Sequence, residues 1–546
     1  MKNHLILNSL VSFILVSGIF FSCSSAPKEE QEPYVQPDYS EDDIRNAEIE
    51  RIKKLLETDS LAALWRTILL EQKTDSVLDL HDVCLEKVKE DYKTAISSKD
   101  YVSARKIKVS LDGAGIESGE LSSSELSSLI FSQVPPLSGS DTGSLYDGKM
   151  SSLIEGTVTI FVDKGLKIEN GVGHADGIIG SGFFIDKNGT IVTNHHVISD
   201  VVDPKNEKYS RLFVRLAQDP DNKIPAKVIG YDEVLDLALL KAEIDSPYVF
   251  NLGSSTDLEV GDRIYAIGSP IGLERTLTSG IVSATDRKLF TIGSVLQIDA
   301  SVNSGNSGGP LVDQKGRVQG IIFAGMIKFS GLNFVIPVEY LKNELAYLYK
   351  GGKLEHGWIG AFGKSRRQGG KNTGLELQYV MPGSSSSRAG LKAGDVITAV
   401  NGKSINSLED MQNALMQEVP GTLLKLSCEN EDKKFSTLVY LSVRPKNPGY
   451  SVYQSDLLGN AFEPLFGMKL ISVASNGRKY AIESILKGSS ADISSFSVND
   501  PVDIKKIEFD DEKTSVYAEI STKKRKLGYL DFNIGITAAL DSPYYF

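Results

Sequence analysis

The 546-residue chain is poor in cysteine and histidine, with three of the first and six of the second. Besides Cys23, only Cys84 and Cys428 remain, and they fall in segments assigned below to different domains, so no disulfide framework is expected. Neither lies in a Cys/His cluster with metal-ligand spacing, so the sequence predicts no metal site and no cofactor. A surplus of positive charge is missing as well. Lys plus Arg number 59 against 71 Asp plus Glu, a net charge of −12, which argues against a broad nucleic-acid interface. The apolar run at residues 5–21 holds serines, an asparagine and a glycine and is short for a bilayer span. With Lys2 ahead of it and small residues behind, it reads as an export signal over residues 1–22.

What the chain does have is enough length for about three or four domains. Residues 23–40 carry Pro, Glu and Gln and read as a tether. From residue 41 to about 112 the pattern turns helical: Ile44, Ile49, Ile52 and Leu56 recur at about one per turn, as do Leu80, Cys84 and Val88. No clean repeat period follows, and the expectation is a small helical bundle acting as a spacer. Residues 113–149 are rich in Ser and Gly with Pro135-Pro136 and read as a flexible connector. Strand signals begin at Thr157-Val158-Thr159-Ile160-Phe161-Val162 and return at Leu212-Phe213-Val214, Lys227-Val228-Ile229, Arg263-Ile264-Tyr265-Ala266-Ile267 and Gln319-Gly320-Ile321-Ile322-Phe323. Short strands punctuated by Gly, Asn and Asp predict β-barrels over residues 150–350.

Within that region three stretches carry chemistry. The run Gly305-Asn306-Ser307-Gly308-Gly309-Pro310-Leu311 is a glycine turn with a serine in it. A serine needs a neighbouring base and donors aimed at the oxyanion that forms on attack. The flanking glycines leave backbone free of Cβ obstruction, so that the N–H groups of Gly305 and Ser307 converge on one point, and the main chain of Gly305, Asn306 and Ser307 is the expected oxyanion hole. Taken alone, such a run is as readily a plain turn. Upstream, Thr193-Asn194-His195-His196-Val197 closes a β-branched strand with two of the six histidines, and Asp236 interrupts the apolar strand Leu235-Asp236-Leu237-Ala238-Leu239-Leu240. A carboxylate there is costly unless it is hydrogen-bonded, as it is when it orients an imidazole.

With these motifs in the order His, Asp, Ser, and with Gly180-Ser181-Gly182-Phe183-Phe184-Ile185 and Asn333-Phe334-Val335-Ile336-Pro337 around them, the sequence resembles the HtrA/DegP family of serine proteases. The resemblance implies a chymotrypsin-like double β-barrel and assigns the catalytic roles to His196, which directly precedes the valine, to Asp236, which precedes Leu-Ala, and to Ser307. His195 becomes a spectator, and Asp232 does not match. In this fold the substrate's P1 side chain lies beside the strand after the nucleophile, so Ile321, Ile322, Phe323 and Ala324 are the expected pocket walls. They hold no acid to pair a basic P1, which predicts small or medium aliphatic residues there.

Residues 355–445 resemble the PDZ domain that follows such proteases, on Gly357-Trp358-Ile359-Gly360-Ala361, Pro382-Gly383-Ser384 and Ala389-Gly390-Leu391-Lys392-Ala393-Gly394-Asp395-Val396-Ile397. The Trp358, Ile359, Gly360 and Ala361 backbone is expected to receive a peptide's terminal carboxylate. Residues 455–546 echo the pattern weakly, with Asn499-Asp500 in place of the Gly-Asp turn, and read as a degenerate PDZ-like domain. The expected fold class is therefore multidomain and mainly β, preceded by helices. Phe20-Phe21-Ser22-Cys23 resembles a relaxed bacterial lipobox with Cys23 as the lipidated residue, which predicts a lipid anchor at the cell envelope. The resemblance further implies an ATP-independent endopeptidase for unfolded or damaged envelope proteins, reading peptide C-termini, with a homotrimer or larger assembly. The rival expectation is a lipid-anchored chaperone or scaffold with weak or latent protease activity.

Overall fold

The computed structural model describes residues 40–71, 78–135, 148–169, 171–206, 210–268, 276–287, 293–303, 305–325, 332–473, 479–524 and 530–546. The signal, most of the tether and Cys23 lie outside them. The chain separates at residue 51 into two compact units. The first contributes the opening turns of helix α1 (Glu41–Thr58), where Ser40 caps through its hydroxyl and the Asp43 amide at 3.1 Å.

The second unit begins with α2 (Ser60–Glu71), α3 (Leu78–Ser97), α4 (Tyr101–Ala114) and α5 (Ser123–Ser132). The expected spacer is instead packed against the region read as PDZ: Leu64, Trp65, Cys84, Val88 and Ile107 share a buried cluster with Leu423 and Leu438. Trp65 Nε1 donates to the Leu438 carbonyl at 2.8 Å, and Arg105 pairs both guanidinium nitrogens with Glu418 at 2.7 and 3.0 Å. An apolar helix face buries itself against whatever sheet is available, so periodicity finds the face without naming its partner. The flexible-connector reading also fails in part. Helix α5 lies inside residues 113–149, opened by a capping box between Ser122 and Glu125, with Leu126 and Ile130 buried one turn apart. Ser127 and Ser128 return their hydroxyls to the carbonyls four residues back, at 2.9 and 3.1 Å, so a serine-rich stretch still satisfies itself as helix.

After α6 (Met150–Glu155) come β1 (Thr157–Glu169), β2 (Val172–Phe184), β3 (Thr190–Thr193), α7 (His195–Val202), β4 (Arg211–Leu216), β5 (Asp219–Asp232) and β6 (Leu237–Ala242). Their order β5-β4-β1-β2-β3-β6 closes on itself because β5 also pairs with β6, and Val158, Ile160, Phe184, Ile191 and Leu240 fill one cluster from several of these strands. The second barrel is β7 (Arg263–Gly268), β8 (Thr276–Arg287), β9 (Val295–Ile298), β10 (Pro310–Val312), β11 (Val318–Gly325) and β12 (Asn333–Pro337), closed in the order β10-β11-β12-β9-β8-β7. A third cluster joins Phe183 and Leu237 of the first barrel to Ile267, Val312 and Ile321 of the second. The seam between the barrels carries the residues singled out in sequence.

Helix α8 (Val338–Lys350) packs across this seam, and the chain returns through β13 (Gly352–Lys353), which runs parallel to β5. Residues 361–440 then form a sheet that includes Ala361–Gln368, Lys371–Val380, Val396–Val400, Leu423–Glu429 and Lys434–Tyr440, flanked by a helix at Leu408–Met416. A five-stranded antiparallel sheet, Met468–Ser472 to Leu530–Ala539, completes the chain. No helix lies between its strands Pro501–Phe509 and Ser515–Lys524, so the helical wall that the preceding sheet has at Leu408–Met416 is missing there among the described residues.

Candidate active site

His196 and Asp236 are brought together by the end of β3 and the start of β6. β3 ends at Thr193, and the next residues turn into α7, whose first turn holds both histidines. Asp236 sits just before β6 in the left-handed region at φ 55°, a conformation costly for an aspartate unless its surroundings hold it. Asn194 does so by donating Nδ2–H to the Asp236 carbonyl at 2.9 Å. One Asp236 carboxylate oxygen takes the His196 backbone N–H at 2.8 Å and the other meets His196 Nδ1 at 2.7 Å. Burial by itself would push the His196 pKa down, but the Asp236 charge and hydrogen bond outweigh it and hold it above the ordinary 6.5. The imidazole remains 46% exposed, open to a reactant on its far side.

His195 points elsewhere. Its ring stacks on Tyr231 at 5.2 Å and 16° as a packed neighbour, and burial pushes its pKa down.

Ser307 reaches the same region from the second barrel. Gly180 of β2 lies between Val197, next to His196, and the Ser307 main chain; Ser181 N–H donates to the Ser307 carbonyl at 2.7 Å, and Ser181 Oγ to the Gly305 carbonyl at 2.6 Å. Thr193 Oγ1 in turn donates to the Ser181 carbonyl at 2.7 Å. The strand that leads into the histidines is thus tied to the turn that carries the serine. Gly308, at φ 85°, is required here: a Cβ on it would collide with the Ser181 carbonyl and the Thr193 hydroxyl. Beyond it, Gly308 N–H donates to Ile322 O at 2.7 Å and Ile322 N–H to Gly309 O at 2.9 Å, locking the turn onto β11.

The serine is not joined to the imidazole at rest. Its hydroxyl donates to the Phe323 carbonyl at 3.3 Å, and among the described residues no hydrogen bond links it to His196. The N–H groups of Gly305 and Ser307 meet no acceptor among the described residues, whereas the Asn306 N–H is taken by the Asn303 carbonyl at 3.0 Å. Asn306 therefore offers no main-chain donor to an oxyanion, which corrects its inclusion with the other two; its side-chain Oδ1 is buried without a partner.

The four expected pocket residues divide. Ile321 and Ile322 are fully buried in different clusters on opposite faces of β11, so they form barrel core and not a shared wall. Phe323 is half-buried and packs near Phe334 at 6.4 Å; Ala324 continues the strand. Cys84 and Cys428 are both buried and free, in separate clusters.

A buried polar group behind the site escaped the sequence reading. Asp232 takes the Val234 and Leu235 N–H groups at 2.7 and 3.1 Å, fixing the loop that delivers Asp236, and its other oxygen meets His356 Nε2 at 2.8 Å. Glu344 of α8 lies beside them, with one carboxyl oxygen lacking any hydrogen-bond partner. Burial and the adjacent Asp232 charge raise the Glu344 pKa well above its ordinary value. Asp232 is penalised by burial, but His356 and the surrounding donors pull its pKa below the usual range. Separations of 112 residues to Glu344 and 124 to His356 along the chain conceal such a cluster.

At the first PDZ-like sheet, Trp358, Ile359 and Ala361 are buried, and Gly360 adopts φ 80°. The Gly360 carbonyl accepts from Met381 and the Ile359 carbonyl from Ser386, which fixes the loop ahead of the strand Ala361–Gln368.

Two closed β-barrels with a histidine, a buried aspartate and a glycine-turn serine at their seam define a trypsin-like peptidase domain. Comparison with known families agrees: residues 180–321 match the trypsin-like peptidase domain, 377–429 a PDZ domain, 449–540 the TP0546 family PDZ domain, and 43–130 a domain of unknown function (DUF8517). The chain is 38% identical over 254 residues to a probable periplasmic serine endoprotease DegP-like from Hahella chejuensis (strain KCTC 2396), covering 44% of this chain and 52% of the relative. It is 32% identical over 331 residues to the protein of the same name from Chlamydia muridarum (strain MoPn / Nigg), covering 58% and 64%. A solved structure of the HtrA-type protease AlgW with decapeptide is 25% identical with a TM-score of 0.47, covering 55% of this chain and 99% of that one. The chain is thus similar to DegP-like serine endoproteases and joins a trypsin-like peptidase domain to PDZ domains. It spans between 52 and 64% of the length of these two curated relatives.

Proposed function

We propose that the chain is an ATP-independent serine endopeptidase of the bacterial cell envelope that cleaves unfolded or damaged proteins. The observation that carries this reading is the pairing of His196 Nδ1 with Asp236 at 2.7 Å, which fixes the proton on that nitrogen and leaves Nε2 free as a base. Ser307 gives up its hydrogen bond to Phe323 and passes its proton to His196 as its oxygen attacks the substrate carbonyl carbon. The Gly305 and Ser307 N–H groups receive the oxyanion; one such donor is worth about 10²–10³ in rate. His196 then protonates the leaving amine, and water resolves the acyl-enzyme through the same groups.

The absence of an acid in β11, which carries Phe323 and Ala324, supports small or medium aliphatic P1 residues. The Trp358–Ile359–Gly360–Ala361 loop supports recognition of peptide ends by the first PDZ domain. The periplasmic relatives and the Cys23 motif support lipid attachment facing an extracytoplasmic space, and the family resemblance supports a trimer or larger assembly. Digestion of casein by the wild type and its loss in Ser307→Ala is the expected result. Equal digestion by both proteins overturns the reading. The resting hydrogen bond of Ser307 to Phe323 favours one second reading, a chaperone with latent activity. It predicts that neither protein digests casein while both suppress its aggregation.

A further inference from the structure

The peptide groove of the first PDZ domain is filled by this chain's own residues 541–546. Tyr544-Tyr545-Phe546 run antiparallel to the strand Ala361–Gln368: Ala361 N–H donates to the Phe546 main-chain oxygen at 3.0 Å, Phe546 N–H to the Ala361 carbonyl at 3.0 Å, and Gly363 N–H to the Tyr544 carbonyl at 3.1 Å. Phe362 stands opposite Tyr545 in this ladder. Side chains alternate along an extended segment, and here they go to two different cores. Phe546 is 2% exposed among Ile359, Leu375, Met411 and Leu415 of the first PDZ domain, while Tyr545 is buried in the core of the second and donates its hydroxyl to the Pro464 carbonyl at 2.9 Å.

The small residues on the strand make room for the ring. Residue 361 is alanine, and a Cβ on Gly363 would lie 3.1 Å from the Phe546 ring. The other wall of the groove, the helix Leu408–Met416, sends Gln412 Nε2 to the Pro543 carbonyl at 2.7 Å. Upstream, Arg444, with a side chain only 3% exposed, grips Asp541 through two bonds of 2.6 and 3.0 Å. Strand addition supplies main-chain affinity and the pocket supplies side-chain choice.

We propose that residues 541–546 are a built-in ligand of the first PDZ domain, and that this groove takes peptides from other proteins only by displacing them. The ligand class that competes is an extended peptide with a bulky aromatic residue in the Phe546 position and a main-chain acceptor in the Tyr544 position. The inference rests on the PDZ reading above and leaves the catalytic reading untouched. A tethered ligand acts at a local concentration on the order of millimolar, so an incoming peptide pays that competition before it binds.

The test uses the full chain and a fluorescein-labelled hexapeptide of sequence Asp-Ser-Pro-Tyr-Tyr-Phe, with binding read by fluorescence anisotropy. Phe546→Ala empties the pocket, and Phe546→Tyr keeps the ring while adding a polar hydroxyl at its tip, next to Gly363. Far-UV circular dichroism checks that each variant is folded. The expected result is weak binding to the wild type and at least tenfold tighter binding to one or both folded variants. Binding to the wild type within twofold of the folded variants overturns the built-in ligand and leaves the PDZ reading standing. Absence of binding to any of the folded proteins overturns both, and casein digestion then reports separately on the protease.

Discussion

His356 lies at the return from the protease barrels to the first PDZ domain, and its replacement by phenylalanine isolates one interaction. The ring volume is nearly kept, but the donor to Asp232 at 2.8 Å is lost. Asp232 is fully buried, with Glu344 rather than solvent on its open side, so its charge is left without its principal partner. Removing one member of a buried pair costs about 3–5 kcal/mol, because the remaining charge stays buried. Two backbone donors still serve the other Asp232 oxygen, which favours the lower end, about 3 kcal/mol. At roughly 2–4 °C per kcal/mol for a domain of this size, the protease-domain melting temperature falls by roughly 6–12 °C. The double variant Asp232→Asn with His356→Phe removes the uncompensated charge while keeping the acceptor for Val234 and Leu235, so it recovers at least half of the loss. His174→Ala, exposed on β2, serves as the control and shifts the midpoint little. Differential scanning calorimetry reads all four proteins. A His356→Phe drop under about 1 kcal/mol, or a double variant as unstable as the single one, refutes the reasoning.

Asp236→Asn leaves the histidine without a carboxylate on Nδ1 and favours the wrong tautomer; kcat falls about 10⁴-fold on a fluorogenic peptide with the fold intact, and a loss under tenfold contradicts the assigned role. Because Asp236 raises the His196 pKa, the protonated form persists above pH 6.5, and the acid limb of kcat/KM therefore has its midpoint above that value; a midpoint at or below 6.5 contradicts the pairing. Glu344 has a raised folded pKa, so its contribution to stability is fully present below about pH 4.5 and is lost as pH rises through the folded value. Glu344→Gln removes that decline, and urea midpoints at pH 5 and pH 8 should show the variant gaining on the wild type as pH rises.

The catalytic candidates were readable because each belongs to a short local pattern: a β-branched run that leads into histidine, a carboxylate beside an apolar run, and a serine among glycines. The barrels were readable from β-branched runs such as Thr157-Val158-Thr159-Ile160. Other features rest on contacts between distant segments. Helix α5 was hidden because serine content outweighed the Leu126 and Ile130 pair, although the Ser122 and Glu125 cap was a local signal for it. Ile321 and Ile322 looked like pocket walls because apolar strand residues look alike whether they face a cleft or a core. Neither the Asp232, Glu344 and His356 cluster nor the seating of Phe546 beside Ala361 has a spacing that one sequence exposes.

In the proposed mechanism Ser307 becomes a nucleophile through His196 and Asp236. Incubation of the purified chain with a fluorophosphonate probe, followed by peptide mass mapping, tests it most directly. The expected result is a phosphonyl adduct on Ser307 that disappears in Ser307→Ala and forms far more slowly in His196→Ala. Labelling of Ser307 at the same rate with and without the imidazole, or an adduct confined to other serines, would contradict it.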